Sequence, residues 1–413
     1  MNKITTFLLL ILIGASSSCD KKPATLEKGT WRATVKTETG TEIPFNFQVI
    51  DSAGAKYIDI INGKERFRVD EVIIKSDSVN IIMPLFNSEI KSVLDNNGNL
   101  YGKFIRHLEG KDVSMDFNAQ PNISWRFFNT KVESKYTVNG RWSVTFTSLD
   151  AKDTTVAVGE FIQKDAKVTG TFLTRTGDYR FLQGAISDNK IYLSTFDGSN
   201  SFMFTGKLAD NNTITDGKFY SGLSSIKNWS AKKDEKAMLP DSYSLTGLKR
   251  GYSTINFSFP DLDSKAVSLQ DERFKNKVVV VQLFGSWCPN CMDETAYLTS
   301  FYTKYKNRGV EVIGLGYETS TDFEKSKRNI QRLRDRLNVN YEMLVTGFTN
   351  KKEQVMKSLP ALSTFVAFPT LIIIDKEGTV RKIHTGFTGP GTGNHYSKFK
   401  TEFEKTIDDL LKE

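Results

Sequence analysis

The chain has 413 residues, which is enough for two or three domains with sizeable hydrophobic cores. Hydrophobic residues make up 39% of it and charged residues 25%, which excludes a polytopic membrane protein and a largely disordered chain. Three cysteines and three histidines exclude a disulfide-stapled scaffold, and the net charge of +8 is spread along the chain rather than clustered as in a nucleic-acid-binding face.

The N-terminus has the pattern of an export signal. Lys3 precedes an apolar run over 4–15, shorter than the roughly 20 residues that a membrane-spanning helix needs. Small residues follow, and then Cys19, an arrangement that resembles the lipobox of bacterial lipoproteins. The resemblance implies a signal peptide over 1–18, a lipid on Cys19 and a periplasm-facing lipoprotein of the cell envelope, with the inner membrane favoured over the outer. The alternative is an ordinary secretory signal with an incidental cysteine.

Residues from about 25 to 235 alternate apolar segments with turn signals such as Asn62-Gly63, and they lack helical periodicity. This pattern predicts an all-β region. Its predicted strands include 31–37, 45–50, 57–61, 69–74, 79–83, 113–117 and 124–128.

A weak internal repeat runs through the β region. It is carried by three pairs of residues in the same order: Gly29-x-Trp31 with Gly140-x-Trp142, Gly102 with Gly217, and Trp125 with Trp229. We therefore predict a duplicated sheet, forming a barrel or a sandwich, with copies over 19–130 and 131–235. The opening Gly-x-Trp resembles that of lipocalin-like barrels. We expect each copy to bury a tryptophan in its core rather than to use it in a ligand cage.

The composition changes after the β region. A charge run over 232–236, followed by Pro240 and Gly247, predicts a linker over 236–254. Beyond it, buried strands alternate with amphipathic helices, which predicts an α/β domain with a mixed sheet over 255–413. Strands are predicted at 278–284, 310–315, 370–374 and 380–384, and helices at 289–307, 322–338 and 396–411.

The motif Trp287-Cys288-Pro289-Asn290-Cys291 stands where a buried strand meets a helix. Two cysteines three apart at a helix start can close a disulfide without distorting the helix. Free N–H groups and the helix dipole stabilise a thiolate there, and the pKa of such thiols falls from about 8.5 to roughly 3.5–7.5. We predict that Cys288 is the exposed nucleophile and that Cys291, one turn into the helix and more buried, is the resolving thiol.

Residues 255–413 resemble the exported TlpA/ResA-like thiol-disulfide oxidoreductases, which have a thioredoxin fold and belong to the redoxin superfamily. The resemblance rests on motifs in the same order: Phe257-x-Phe259-Pro260-Asp261-Leu262, Trp287-Cys288-x-x-Cys291 with Glu294, Phe368-Pro369-Thr370, Asp375-x-x-Gly378 and His384-Thr385-Gly386-Phe387. It implies a cis peptide bond before Pro369 and a substrate-facing surface made by Trp287 and the loop Phe368-Pro369-Thr370.

The same resemblance implies the reaction and its partners. The usual direction in the family is reduction of a disulfide in an exported protein substrate. The implied electron donor is a membrane thiol transporter of the CcdA/DsbD type. The resemblance implies no cofactor and no metal.

The proton acceptor departs from the thioredoxin pattern. Gln282 stands where thioredoxins have a buried Asp, and an amide cannot take a proton. Glu294 is the remaining candidate for proton transfer, with a pKa raised by partial burial; the alternative is a solvated helix charge. We place Asp293 in solvent. The histidines stay outside the predicted site, with His107 and His395 at the surface and His384 in a structural role.

Three other functions compete with a membrane-anchored reductase. A peroxiredoxin needs Thr or Ser three residues before the reactive cysteine, where this chain has Gly285. Copper-delivery relatives of the thioredoxin fold use a CxxxC spacing and a distal His, whereas this chain has CxxC. In the third alternative, the β region binds a partner, a glycan or a lipid, and the thioredoxin domain is accessory.

Overall fold

The computed structural model describes residues 25–52 and 54–413, which form two β units followed by an α/β unit. The signal peptide predicted over 1–18 and the lipid attachment predicted at Cys19 lie outside the described residues. Among the helices in these two ranges, none is long and apolar enough to cross a membrane.

The first β unit is a nine-stranded antiparallel sheet in which the first strand pairs with the last. Its strands are β1 Gly29–Lys36, β2 Glu42–Ser52, β3 Ala55–Asn62, β4 Glu65–Val69, β5 Glu71–Lys75, β6 Ser78–Ile82, β7 Ser88–Leu94, β8 Leu100–Leu108 and β9 Lys111–Pro121. Strands β4 and β5 are the two edges of this sheet and follow each other through Asp70. Alternate side chains along β1 and β2 face a core rich in aromatic rings, including Trp31, Phe45 and Phe47.

The second β unit is a closed antiparallel barrel of eight strands with one short extra strand, β13. Its strands are β10 Gly140–Ser148, β11 Thr154–Lys164, β12 Lys167–Thr174, β13 Gly177–Asp178, β14 Leu182–Ser187, β15 Lys190–Phe196, β16 Ser201–Leu208, β17 Thr213–Ser221 and β18 Ser225–Lys233. The barrel closes because β10 pairs with β18 and β11 pairs with both β10 and β12. Phe172 fills its centre, with ring centroids 4.6 Å from Phe204 and 5.5 Å from Trp229.

The two β units share a tryptophan hydrogen bond and a close glycine contact at equivalent positions. Trp31 and Trp142 are fully buried, and each indole N–H donates to the carbonyl four residues earlier, at 2.9 Å. Gly102 and Gly217 also correspond, because neither position has room for a side chain. A Cβ on Gly102 would lie 1.9 Å from the Lys91 carbonyl oxygen, and a Cβ on Gly217 would lie 2.2 Å from the Trp229 carbonyl oxygen. These matched contacts agree with the predicted duplication and with tryptophan as a core residue.

The predicted pairing of Trp125 with Trp229 is wrong, as is the predicted strand over 124–128. Trp125 lies in the loop between β9 and β10, half-buried under the guanidinium of Arg32 at 4.6 Å. The strand register identifies Phe117 as the counterpart of Trp229. Phe117 pairs with Val35, four residues after Trp31, and Trp229 pairs with Phe146, four residues after Trp142.

The loop between β9 and β10 is irregular because its residues contact both β units instead of pairing with a neighbouring strand. Arg126 is buried there, and its guanidinium donates to the Ser194 carbonyl at 2.9 Å and to Asn46 Oδ1 at 3.2 Å. Ser194 belongs to the second unit and Asn46 to the first, so one side chain joins both sheets.

The C-terminal unit has a five-stranded mixed sheet in the order β23-β22-β21-β24-β25, flanked by helices. Its elements are the hairpin β19 Ser258–Pro260 and β20 Ala266–Ser268, then β21 Val278–Phe284, α1 Pro289–Tyr305, β22 Val310–Glu318, α2 Phe323–Leu337, β23 Glu342–Thr349, α3 Lys352–Ser358, β24 Thr370–Ile374, β25 Val380–Thr385 and α4 Asn394–Lys412. The arrangement is consistent with the predicted thioredoxin fold. Strand β23 and helix α3 are absent from the predicted elements.

The span predicted as a linker is packed onto the C-terminal unit. Lys249 N donates to the Ala361 carbonyl at 2.8 Å, and Ser363 N donates to the Gly247 carbonyl at 2.8 Å. These bonds attach the segment to the chain that follows α3.

Candidate active site

Cys288 and Cys291 form a disulfide at the N-terminus of α1, with Cα atoms 5.2 Å apart. Cys288 is the N-cap residue, and its sulfur accepts a hydrogen bond from Cys291 N at 3.2 Å. Cys291 is fully buried, as predicted. The prediction of an exposed Cys288 is wrong, because only 7% of this residue is accessible and residues of the second β unit stand opposite it.

Trp287 directly precedes Cys288, and its side chain is held by two contacts. Its indole N–H donates to the Tyr317 carbonyl at 2.9 Å, and its ring meets that of Phe368 edge to face at 5.6 Å. Gly285 makes this position possible, because a Cβ there would lie 2.1 Å from the Trp287 indole nitrogen. The structure therefore brings Trp287 and Phe368 together, as the resemblance implied.

The Phe368–Pro369 peptide bond is cis, as predicted. The Pro369 carbonyl accepts from Gly386 N at 2.8 Å, which ties the loop to the end of β25. Thr370 is fully buried, and its hydroxyl donates to the Ala367 carbonyl at 2.7 Å. The Thr370 side chain therefore supports this loop from inside, while its place beside a substrate stays a prediction.

Glu294 is completely buried on α1 and shares a polar cluster with Gln282. Its Oε2 accepts from Gln282 Nε2 at 2.9 Å, while its Oε1 has no hydrogen-bond partner. Thr295 and Tyr341 each donate to Gln282 Oε1 at 3.2 Å, which fixes the amide orientation. Burial raises the pKa of Glu294 to about 8, and the bond from Gln282 opposes this only in part. The solvated alternative for Glu294 is excluded by its burial.

We expect Glu294→Gln to flatten the pH dependence of stability. The folded-state pKa of Glu294 lies above its ordinary value of 4.5, so stability is lost as pH rises from about 4.5 through about 8. Without the carboxyl, the free energy of unfolding should no longer fall with pH by up to about 1.4 kcal/mol per pH unit in this range. Urea unfolding between these pH values checks this. The exposed Glu402→Gln is the control, and equal slopes in both variants would contradict the prediction.

The prediction that Asp293 lies in solvent is wrong. It is buried, and its Oδ2 lies 3.0 Å from Nη1 of Arg180 in the second β unit. Arg180 also donates to the Pro289 carbonyl at 3.0 Å and pairs with Glu65 of the first unit. Burial raises the pKa of Asp293 to about 7 against the opposing effect of Arg180. Burial alone lowers the pKa of Arg180, but its carboxylate neighbours outweigh burial and raise it.

Asp178 forms a second link between the barrel and the motif. Its Oδ2 accepts from Gly389 N at 2.6 Å, and its carbonyl accepts from Asn290 Nδ2 at 3.2 Å. Sequence reasoning missed both Asp178 and Arg180. The local signal in the sequence is Gly177, directly before Asp178, because glycine permits the positive φ of +138° that the backbone adopts there.

The histidines lie away from the disulfide. His107 joins Asp112 and Glu89 at the surface of the first unit, at 2.9 and 3.0 Å. His395 is less free than predicted, because its Nε2 lies 2.7 Å from Glu160 of the barrel. His384 is buried, and burial lowers its pKa to about 4, consistent with a structural role. In the described part of the chain, no group of three or more His, Cys, Asp and Glu side chains is placed to hold a metal.

Comparisons with known proteins concern the C-terminal unit. The Redoxin family matches residues 249–398. Thiol-disulfide oxidoreductase ResA of Bacillus thuringiensis is 31% identical over 130 residues, which are 32% of this chain and 66% of that protein. ResA of Halalkalibacterium halodurans is 25% identical over 140 residues, or 33% of this chain and 69% of the relative. The match to the first of these relatives thus spans just under two thirds of its length.

Solved structures of similar proteins match a comparable share of the chain. The thioredoxin domain of a thiol-disulfide oxidoreductase from Bacteroides vulgatus is 24% identical and covers 37% of this chain and 99% of that structure, with a TM-score of 0.28. A thiol-disulfide oxidoreductase from Bacteroides fragilis is 19% identical and covers 36% and 99%, also with a TM-score of 0.28. Residues 249–398 thus match the Redoxin family, and this part of the chain is similar in sequence to the thiol-disulfide oxidoreductase ResA.

Proposed function

We propose that the protein is an exported, membrane-anchored thiol-disulfide oxidoreductase that acts as a reductase. The observation that carries the proposal is the Cys288–Cys291 disulfide at the start of α1, within a domain similar to ResA. The apolar N-terminal run followed by Cys19 supports export and a lipid anchor in the cell envelope. The proposed electron donor is a membrane thiol transporter of the CcdA/DsbD type.

In this proposal the reaction proceeds through one mixed disulfide. The thiolate of reduced Cys288 attacks a substrate disulfide, whose S–S bond breaks and whose leaving sulfur takes a proton. Cys291 then attacks Cys288, which releases the second substrate thiol and leaves the Cys288–Cys291 disulfide. Two electrons pass from the cysteine pair to the substrate, and the membrane donor restores the dithiol.

Glu294 is proposed to receive the proton of Cys291 in the resolving step. It stands three residues beyond Cys291 on α1, and both are fully buried, so bulk water cannot serve this thiol directly. Its Oε1 has no competing hydrogen bond, and its pKa of about 8 lies close to that of an ordinary thiol. A base with a pKa near that of its partner can take the proton and return it in the reverse step.

A redox titration of the cysteine pair tests the proposal. The full chain is equilibrated with dithiothreitol or glutathione buffers, and the Cys288–Cys291 disulfide is quantified by alkylation and mass spectrometry. A reductase is expected to have a potential near thioredoxin's, about −270 mV. A value near about −120 mV, as in strong oxidants, would contradict the reductase direction. Cys288→Ser is the control that should show no transition.

Two alternatives find less support in the structure. A peroxidase would need a hydroxyl at position 285, but Trp287 occupies the space of any side chain there. A ligand-binding barrel would need an open interior, but aromatic rings such as Phe172, Phe204 and Trp229 fill it.

A further inference from the structure

A cavity of about 250 Å³ lies in front of Cys288, and the second β unit forms most of its wall. The motif residues 287–290 line one side. The opposite side is formed by Thr174 and residues 176–180, which lie between the end of β12 and the start of β14, together with Asp197 and Asn200 from the turn between β15 and β16. We call residues 174–180 the hairpin. The cavity is slightly smaller than typical small-molecule sites of roughly 300–1,000 Å³.

The hairpin approaches the thioredoxin domain closely at two glycines. A Cβ on Gly386 would lie 2.8 Å from the carbonyl carbon of Thr176, and one on Gly177 would lie 2.1 Å from Asn290 Nδ2. The backbone contact at Gly386 is open only to glycine, and the positive φ of Gly177 favours glycine there as well. The hairpin therefore lies directly against this part of the active site.

Buried charges hold the hairpin in this position. Arg180 at its end is 5% exposed and contacts the Pro289 carbonyl, Asp293 and Glu65, so that one guanidinium joins all three units. Moving the hairpin away would separate these charges from one another inside the protein. The hairpin is thus built as a fixed wall of the site and not as a loosely attached lid.

Two charged side chains of the second β unit, Arg180 and Asp197, line the cavity. Arg180 Nε has no hydrogen-bond partner, and the nearest Asp197 oxygen lies 4.0 Å away. A guanidinium donor and a carboxylate acceptor are therefore both next to the cavity. This pair is complementary to the carboxylate and ammonium groups of an amino acid.

We propose that the barrel wall restricts the enzyme to low-molecular-weight disulfides of the cystine type and excludes disulfides in folded proteins. The inference rests on the proposed function and replaces the exported protein expected as substrate with an amino-acid disulfide. Cystine would gain two electrons and two protons and leave as two cysteines, while Cys288 and Cys291 become the disulfide. The same wall requires the electron donor to present its cysteine on an extended segment.

The test compares two disulfides and two variants of the full chain. The reduced protein is mixed with cystine or with insulin, and each rate constant is divided by that of dithiothreitol with the same disulfide. Thr176→Trp places a large side chain on the cavity rim, whereas Arg175→Trp places it at the neighbouring exposed position outside the cavity. Circular dichroism confirms that both variants are folded.

We expect the normalised rate with cystine to exceed that with insulin by about tenfold or more, in the range that pocket contacts can discriminate. Thr176→Trp should lower the cystine rate by a similar factor, and Arg175→Trp should leave it unchanged. Exchange that favours insulin, or that is equal in Thr176→Trp and the unmodified protein, would overturn the inference and leave the proposed function standing. No exchange with either disulfide, although dithiothreitol reduces the pair, would overturn the proposed function and this inference with it.

Discussion

Cys288→Ser is expected to abolish disulfide exchange, and Cys291→Ser is expected to stop the reaction at a mixed disulfide. A serine hydroxyl is not ionised at neutral pH and cannot form the covalent intermediate, so the rate should fall by more than about 10³-fold. Without Cys291, the mixed disulfide on Cys288 has no internal thiol to resolve it. The one other cysteine of the sequence is Cys19, the predicted site of lipid attachment. Turnover of a low-molecular-weight disulfide and intact-mass measurement of the trapped adduct check the two results.

Cys19→Ser is the matched control for both variants. It removes a thiol that lies outside the described residues and outside the redox pair, so exchange in solution should be unchanged. Full turnover in either Cys288→Ser or Cys291→Ser would show that the proposed mechanism is wrong. A mixed disulfide found on Cys291 in the Cys288→Ser protein would show that the two roles are reversed.

The features that sequence predicted well depend on neighbours in the chain. The cysteine pair, its helix and the burial of Glu294 follow from a buried strand, Pro289 and the three-residue spacing along α1. Helix α2 follows from the period of its apolar residues, and the buried strand β21 from its continuous apolar run. Strand β23 and the seven-residue α3 were missed because neither is long or regular enough to give such a pattern.

The features that sequence missed depend on partners far along the chain. Asp293 resembles a surface helix residue until Arg180, from another unit, pairs with it. The low accessibility of Cys288 likewise requires the hairpin to be in place. The repeat was found, but Trp125 was matched to Trp229 by sequence offset, whereas strand register assigns Phe117 to that position. Offsets cannot replace register where loop lengths differ between copies.

Arg180→Met is expected to destabilise the protein by about 3–5 kcal/mol, because it removes the shared counter-charge of a buried cluster. Asp293, Glu65 and Asp197 all lie within 4.0 Å of its guanidinium, and none is more than slightly exposed. Methionine keeps most of the volume, so the loss reports charge rather than a cavity. The exposed Arg175→Met on the same hairpin should change stability by less than about 0.5 kcal/mol.

A double variant separates charge from packing. Asp293→Asn removes one of the carboxylates that Arg180 neutralises, so Arg180→Met with Asp293→Asn should be more stable than Arg180→Met alone. The two single effects should be non-additive, with a coupling energy of about 1–3 kcal/mol. The pH dependence has a definite sign. The pKa of Asp293 is already raised to about 7 by burial, and loss of Arg180 removes the effect that opposes this. Above this pKa the unmodified protein releases the Asp293 proton while the variant still holds it, so the stability deficit of the variant should grow as pH rises from about 6 to about 8. Urea unfolding of the four proteins at both ends of this range measures the effect. A deficit that is independent of pH and of Asp293 would show that Arg180 acts through packing, and that charge does not hold the hairpin against the active site.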